Sequence, residues 1–397
     1  MARRQRCIAA SLPALVSLLA LLVAVWANAL TTSFAIPTGF LRHVSPTSGR
    51  MATNVGGTMI SSSLTLASGG VVLALSLLPR RSSTSQTLRG AKGEAEGKIK
   101  LFSPAKVNLF LRIIRRRPDG YHDLASLFHT VAFGDSLEIK VLPDAEKDAL
   151  ECNLPGVPVD ESNLVIRALK LFREKSGIER FFGVKLEKQI PAQAGMGGGS
   201  SNAATAFFGA NLLCGSPASP EDLIRWGDDP VIGSDATFFL SEGTAYCTGR
   251  GEIVTPIEGL PIKEGLSVYL VKPNYGLSTG KVFKAMDLSA LSTVDPEELL
   301  QTFKDKGTSH SSWVNDLEKP AFTVSPDLSE LKDFLATEWG FEAVLMSGSG
   351  STIFCLGDPS GGSQDFEAAT KEKFDIEGIW KTSFMRRPSP TEWYQEV

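Results

Sequence analysis

The run Pro191-Ala192-Gln193-Ala194-Gly195-Met196-Gly197-Gly198-Gly199-Ser200-Ser201 narrows what this chain can become more than any other stretch. It follows a strand-like apolar segment, Phe182 to Leu186, and precedes an Ala-rich segment, Ser201 to Leu213, that reads as a helix. Four glycines in the five positions Gly195 to Gly199 let the backbone approach an anion closely and turn its amides inward. Ser200 and Ser201 then fall where a helix opens with unpaired N–H groups, so the run reads as a phosphate cradle. It lacks the Gly-Lys-Ser/Thr ending of a Walker loop, and the Gly-x-Gly-x-x-Gly pattern of dinucleotide folds does not describe it. The plainer alternative is a flexible turn ahead of a helix.

Charge divides the chain. Glu94 is the first acidic residue, so all 44 acids lie from there onward, while nine of the 40 Lys and Arg precede it. The body is left with 31 bases against 44 acids, which argues against non-specific nucleic-acid binding. Residues 1–33 have the plan of a secretory signal peptide: Arg3, Arg4 and Arg6, then the uncharged apolar run Leu12 to Trp26. A single-span anchor is the alternative, but the run falls short of the roughly 20 residues a bilayer requires. Residues 34–97 are rich in Ser, Thr, Gly and Ala and carry no acid until Glu94, the composition of a transit peptide with no structure of its own. Phe34-Ala35-Ile36-Pro37 after small residues resembles the bipartite presequences that address proteins to secondary plastids. The expectation is a plastid stromal protein, free of membrane once processed.

The remainder, 98–397, reads as a globular body with a core large enough to need no disulfides. Its cysteines, Cys152, Cys214, Cys247 and Cys355, are widely spaced and form no zinc pattern. Its histidines are His122, His129 and His310, too few for a His-based metal cluster, and no nucleophile-elbow motif accompanies them. Strands are expected at Ile99 to Phe102, Val107 to Ile114, Leu127 to Phe133, Ser136 to Val141, Val268 to Val271 and Ala343 to Met346. Asn163 to Lys175 has helical spacing, with Leu164, Ala168, Leu171 and Phe172 on one face. The irregular alternation favours a two-domain α+β architecture over a doubly wound sheet.

Four further segments carry candidate chemistry. In Pro104-Ala105-Lys106-Val107-Asn108-Leu109, Lys106 and Asn108 point to one side of an extended segment and suit a phosphate oxygen and a hydroxyl, although a solvated strand face is the commoner case. In Gly233-Ser234-Asp235-Ala236-Thr237-Phe238, one carboxylate stands before an apolar stretch, where partial burial tunes a base; an ordinary helix cap is equally consistent. Arg115-Arg116-Arg117-Pro118-Asp119-Gly120-Tyr121-His122 is a basic turn with an aromatic that can stack on a base and an imidazole that can hydrogen-bond one, or else a solvated hairpin. Met346-Ser347-Gly348-Ser349-Gly350-Ser351 is a second glycine-rich turn after a strand.

In this order, from Ile99 to Leu356, the segments closely resemble the GHMP superfamily of small-molecule kinases, in particular those acting on cytidine diphosphate-linked methylerythritol. The Gly-Gly-Gly-Ser-Ser-Asn-Ala-Ala-Thr run and Pro-Asp-Gly-Tyr-His are the most family-specific. The resemblance implies an N-terminal domain like the second domain of ribosomal protein S5, residues 98–260, a ferredoxin-like C-terminal domain, 261–397, and an active site between them. It implies Asp235 as general base, Lys106 as its catalytic partner, Asn108 at the substrate, Tyr121 and Phe283 sandwiching cytosine, and His122 reading the base edge. It implies ATP on the loop Pro191 to Ser201, with Mg²⁺ carried on the phosphates and no dedicated protein metal site. Asn315-Asp316 and Ser347 to Ser351 match further family segments.

The sequence departs from the family at Ala192-Gln193-Ala194, where another Gly is usual and where Gln193 is expected to narrow the approach to the nucleotide. It departs again after Asp235, which is followed by Ala-Thr. A GHMP kinase for mevalonate, homoserine or a sugar would share the cradle and the Asp but not Tyr121-His122. A membrane-anchored nucleotide-binding module would need the Leu12 to Trp26 run to persist. Nothing in the pattern assigns an oligomeric state.

Overall fold

The computed structural model describes residues 49–55, 58–67, 70–77 and 97–396, and the chain divides into two units, Met1–Lys92 and Gly93–Val397. The first unit contains an antiparallel meander of β1 (Gly49–Val55), β2 (Thr58–Ala67) and β3 (Gly70–Leu77). A leader without regular structure is the expectation there. Val, Ile, Thr and Leu along these segments, joined by two-residue links, satisfy the local requirements of hairpins. The apolar run Leu12 to Trp26 and the motif at Phe34 lie outside the described residues.

The second unit begins with β4 (Lys98–Arg116), β5 (His122–Leu142), β6 (Ala149–Cys152), α1 (Leu164–Ser176), β7 (Phe181–Glu187), α2 (Gly198–Leu213), α3 (Pro220–Gly227), α4 (Ala236–Leu240), β8 (Thr244–Gly249) and β9 (Ile253–Pro256). It continues with β10 (Val268–Pro273), α5 (Thr279–Lys284), α6 (Pro296–Lys306), α7 (Glu318–Val324), α8 (Pro326–Glu338), β11 (Ala343–Met346), β12 (Ile353–Leu356), α9 (Ser363–Lys373) and β13 (Ile376–Thr382). The first set forms a six-stranded sheet in the order β6-β7-β5-β8-β9, with β4 paired along β5; the second forms the four-stranded sheet β11-β12-β10-β13. The architecture is α+β, as expected.

Two strands expected on either side of Pro104 are one continuous strand, β4, and the two expected in the next segment are one strand, β5. Pro104 has no N–H to offer a ladder, and it is tolerated because the register shifts there, between Pro104 and Ala105. Its partner Gly134 must lack a side chain, since a Cβ would stand 2.3 Å from the Ser103 carbonyl oxygen.

On one face of the first sheet, α1 and α2 bury Phe172 and Phe207 edge to face, centroids 5.8 Å apart. Asn163 caps α1, its side chain accepting from the Val165 N–H. Met385, Trp393 and Tyr394 complete this same core. The boundary expected at residue 260 leaves that return of the C-terminus out of account.

Candidate active site

The outer edge of β4 is covered by two loops, and they bring the candidate residues together. The Lys106 N–H donates to the Met196 carbonyl of the glycine-rich run at 3.1 Å, and Leu111 is bracketed by Val314 and Asp316 through backbone bonds of 2.8 and 2.9 Å. The Ser347 turn closes the arrangement, its hydroxyl donating to the Gly195 carbonyl at 3.0 Å. Gly195, at φ +75°, must be glycine: a Cβ there would lie 2.2 Å from the Ser347 carbonyl oxygen.

Within this frame Lys106 is 4% exposed. Its Nζ donates to Asn108 Oδ1 at 2.7 Å, lies 3.7 Å from Asp235 Oδ2 and sits 4.3 Å from the centre of the Phe128 ring. Burial pulls the Lys106 ammonium below the ordinary lysine range, opposed first by the Asp235 carboxylate. Beneath the pair, burial and then Asp235 push the Cys247 thiol up, so it packs there as a neutral group. Asp235 occupies the N-cap position of α4 yet makes no side-chain capping bond; its Oδ1 accepts from Ser234 Oγ at 3.1 Å and its Oδ2 faces Lys106. An ordinary helix cap, the plainer reading of that segment, is therefore not what this Asp does.

Asn108 differs from expectation. It is 1% exposed, its Oδ1 holds Lys106, and its Nδ2 donates to Ser126 Oγ at 2.9 Å, so the amide orients the lysine from within the protein.

The run Pro191 to Ser200 lines one side of a cavity of 410 Å³ whose other walls include Val157, Ser162, Asn163 and Lys188, whereas Ser201, expected in the same cradle, is buried. Gly197, at φ +71°, is the N-cap of α2, whose first residue, Gly198, comes three before the start expected from sequence. The N–H groups of that first turn have no partners inside the helix and no side-chain cap. A Cβ on Gly197 would stand 3.0 Å from Phe239 Cζ and 3.1 Å from Lys106 Cγ, so the bare backbone is what lets Lys106 pass beneath the turn. Gln193, at φ +52°, lines the cavity rim and backs onto Gly276.

Sequence reasoning missed the polar layer under this turn. Asp135, fully buried, accepts from the N–H groups of Gln189 and Ile190 at 2.7 and 2.8 Å, from Asn202 Nδ2 at 2.8 Å and from Lys188 Nζ. Asn202 also donates to Ser103 Oγ at 2.9 Å, and Ser103 meets Ser201 Oγ at 2.8 Å. The layer ties the end of β7, the start of α2 and β4 into one rigid base. Asp135 lies between two strand-like runs and gives no signal in sequence; Lys188, shortly before Pro191, is the nearest to a clue.

Asn315 and Asp316 do structural work. Asn315 Nδ2 donates to the Met346 and Gly348 carbonyls at 2.7 and 2.8 Å, holding the second glycine-rich turn. Asp316 accepts from the Ile113 and Ser292 N–H groups at 2.8 and 2.9 Å and pairs with Arg112.

The residues expected to read cytosine are brought together only in part. His122 stacks on Phe283, centroids 5.2 Å apart at 27°, while Tyr121 is 59% exposed beside the Arg250 guanidinium, 5.2 Å from its ring. The expected Tyr121–Phe283 sandwich is thus replaced here by His122 on Phe283. Burial, then Arg116, lowers the His122 pKa, favouring the neutral imidazole.

Residues 163–243 match the family model described as GHMP kinases N terminal domain, and 300–376 match GHMP kinases C terminal. The chain is 46% identical over 303 residues to a protein of Oryza sativa subsp. japonica named 4-diphosphocytidyl-2-C-methyl-D-erythritol kinase, chloroplastic, covering 75% of this chain and 73% of that protein. It is 46% identical over 259 residues to the 4-diphosphocytidyl-2-C-methyl-D-erythritol kinase of Protochlamydia amoebophila, covering 65% of this chain and 84% of that protein. A crystal structure of 4-(cytidine 5'-diphospho)-2C-methyl-D-erythritol kinase superposes with a TM-score of 0.59 at 29% identity, covering 72% of this chain and 99% of that one. A homoserine kinase from Cytophaga hutchinsonii, at 18% identity and a TM-score of 0.57, shares the fold.

Fold, cradle and charged pair define an ATP-dependent phosphotransferase of the GHMP kinase class. Within that class the chain belongs to the 4-diphosphocytidyl-2-C-methyl-D-erythritol kinase family.

Proposed function

We propose that this chain transfers the γ-phosphoryl group of ATP to the 2-hydroxyl of 4-diphosphocytidyl-2-C-methyl-D-erythritol, in non-mevalonate isoprenoid synthesis. The observation that carries the reading is the Lys106–Asp235 pair, 3.7 Å apart, with Lys106 packed directly against Gly197 at the start of α2. Asp235 accepts the hydroxyl proton as the oxygen attacks. Lys106, held by Asn108, orients that hydroxyl and offsets the charge that develops on the transferred group.

The unpartnered N–H groups of α2 hold the phosphates, and the cavity bounded by Val157, Asn163 and the loop Pro191 to Ser200 takes the rest of the nucleotide. The site suits that ligand because Gly197 lets the turn lie against Phe239 and Lys106, and a Cβ there would push the cradle off them. Mg²⁺ bound to the phosphates supplies further charge neutralisation. Little covalent work falls to the protein, so positioning dominates. His122 and Phe283 form one wall of the cytosine site, and the exposed Tyr121 closes over the other face of the base. Residues 1–97 deliver the enzyme to the plastid stroma; the matching kinases of Oryza sativa and Arabidopsis thaliana are named chloroplastic.

Asp235→Asn tests the assignment. Turnover of the cytidyl substrate should fall by about 10²–10⁴-fold with ATP binding nearly intact, because only the base is lost. Turnover within a few-fold of wild type, or turnover of mevalonate or homoserine in place of the cytidyl compound, would reject the reading.

A further inference from the structure

The short helix that follows the proposed base is closed locally only as far as the Thr237 and Phe238 carbonyls, which accept from the Ser241 N–H. α4 is five residues long, too short for an isolated helix, and its N-cap, Asp235, makes no capping bond. Its other end is held by a residue 147 positions away: Arg387 Nη1 donates to the Leu240 carbonyl and, at 3.3 Å, to that of Ser241. The guanidinium satisfies the orphan carbonyls of the helix C-terminus.

Arg387 is 6% exposed and its remaining donors are engaged by the C-terminal tail: Nε bonds the Glu392 carbonyl at 2.9 Å and Nη2 that of Pro390 at 2.7 Å. Its plane lies 5.2 Å from the Phe208 ring of α2 and 4.8 Å from Trp393. Trp393 stacks on Phe208, centroids 4.5 Å apart, and its Nε1 donates at 2.7 Å to the carbonyl of Phe102 on β4, the strand that carries Lys106. The tail therefore grips the three elements that carry the base, the phosphate cradle and the lysine.

We propose that Arg387, seated by Trp393, is a positioning residue for the reaction: it fixes α4 against β4 and so sets the separation of Asp235 from Lys106. The inference rests on Asp235 being the base. A planar guanidinium that bonds the Leu240, Ser241, Pro390 and Glu392 carbonyls while packed beside two aromatic rings specifies both distance and orientation, which a lysine cannot reproduce.

Kinetics of the full chain test it. Arg387→Met should leave the KM for ATP within about two-fold and lower kcat by roughly 10–100-fold, the scale of a small misplacement of reacting groups. Arg387→Lys should recover only part of kcat. Loss of thermal stability with kcat per folded molecule unchanged would overturn the proposal, since that is what a merely structural clamp produces. If Arg387→Met does not fold, Trp393→Phe decides, because it keeps an aromatic ring beside Phe208 and removes the indole N–H that bonds Phe102; wild-type kcat there overturns the proposal and a several-fold loss supports it. Asp235→Asn in the same assay separates the two readings. If it is inactive beside a wild-type-like Arg387→Met, only the positioning role fails; if it is active, the assignment of the base fails.

Discussion

His122 can discriminate only if stacking and hydrogen bonding are divided between different side chains. Phe283 offers a face to any flat base, whereas an imidazole kept neutral by burial and by Arg116 presents one donor and one acceptor at the same place. His122→Ala should therefore weaken the cytidyl substrate by about 1–3 kcal/mol, the usual cost of leaving a polar partner unpaired, with ATP affinity hardly changed. Tyr121→Ala should weaken cytidyl and uridyl analogues alike, whereas His122→Ala should shrink the gap between them. Titration of both analogues against both variants is the check, and equal losses in the His122 variant would remove the base-reading role.

At the scale of elements, the start of α2 has a sharper requirement than its composition suggests. Gly197→Ala would place a methyl group 3.0 Å from Phe239 and 3.1 Å from Lys106 on a backbone already at φ +71°. It should raise the KM for ATP and lower kcat together, on top of the ~1 kcal/mol that a left-handed conformation costs a residue with a Cβ. Gly215→Ala is the control: at φ +80° with nothing within 4 Å, it should reduce thermal stability and leave both kinetic constants unchanged.

The existence of this turn, of α1 and of the strand at Val268 was legible because each carries a strong local pattern. The unbroken course of β4 through Pro104 was not, since it depends on Gly134 in the neighbouring strand. The buried layer around Asp135 was equally hidden, because a carboxylate that accepts from Gln189, Ile190, Asn202 and Lys188 looks in sequence like any surface acid. Asn108 was found by its alternation with Lys106, but alternation gives direction and not occupancy, and the space it points into is filled by that lysine.

For the whole molecule, the leader and the body make separate demands. A reporter fused to residues 1–97 should reach a plastid, and removal of residues 1–33 should leave it in the cytosol; microscopy of the two fusions decides, with secretion of the longer one counting against two addresses in series. The body has a property of its own that follows from how far apart in sequence its core residues lie. Trp393 and Tyr394 sit in the same core as Phe172 and Phe207, which precede them by roughly 190 to 220 residues. Long-range closure of that kind is slow and comes late in folding. The first sheet therefore cannot finish its interior while the ribosome is still synthesising the second, and the order of synthesis cannot be the order of folding. The interior around Phe172 and Phe207 closes only once the segment from Met385 to Tyr394 is in place, so a chain interrupted before it leaves that core open.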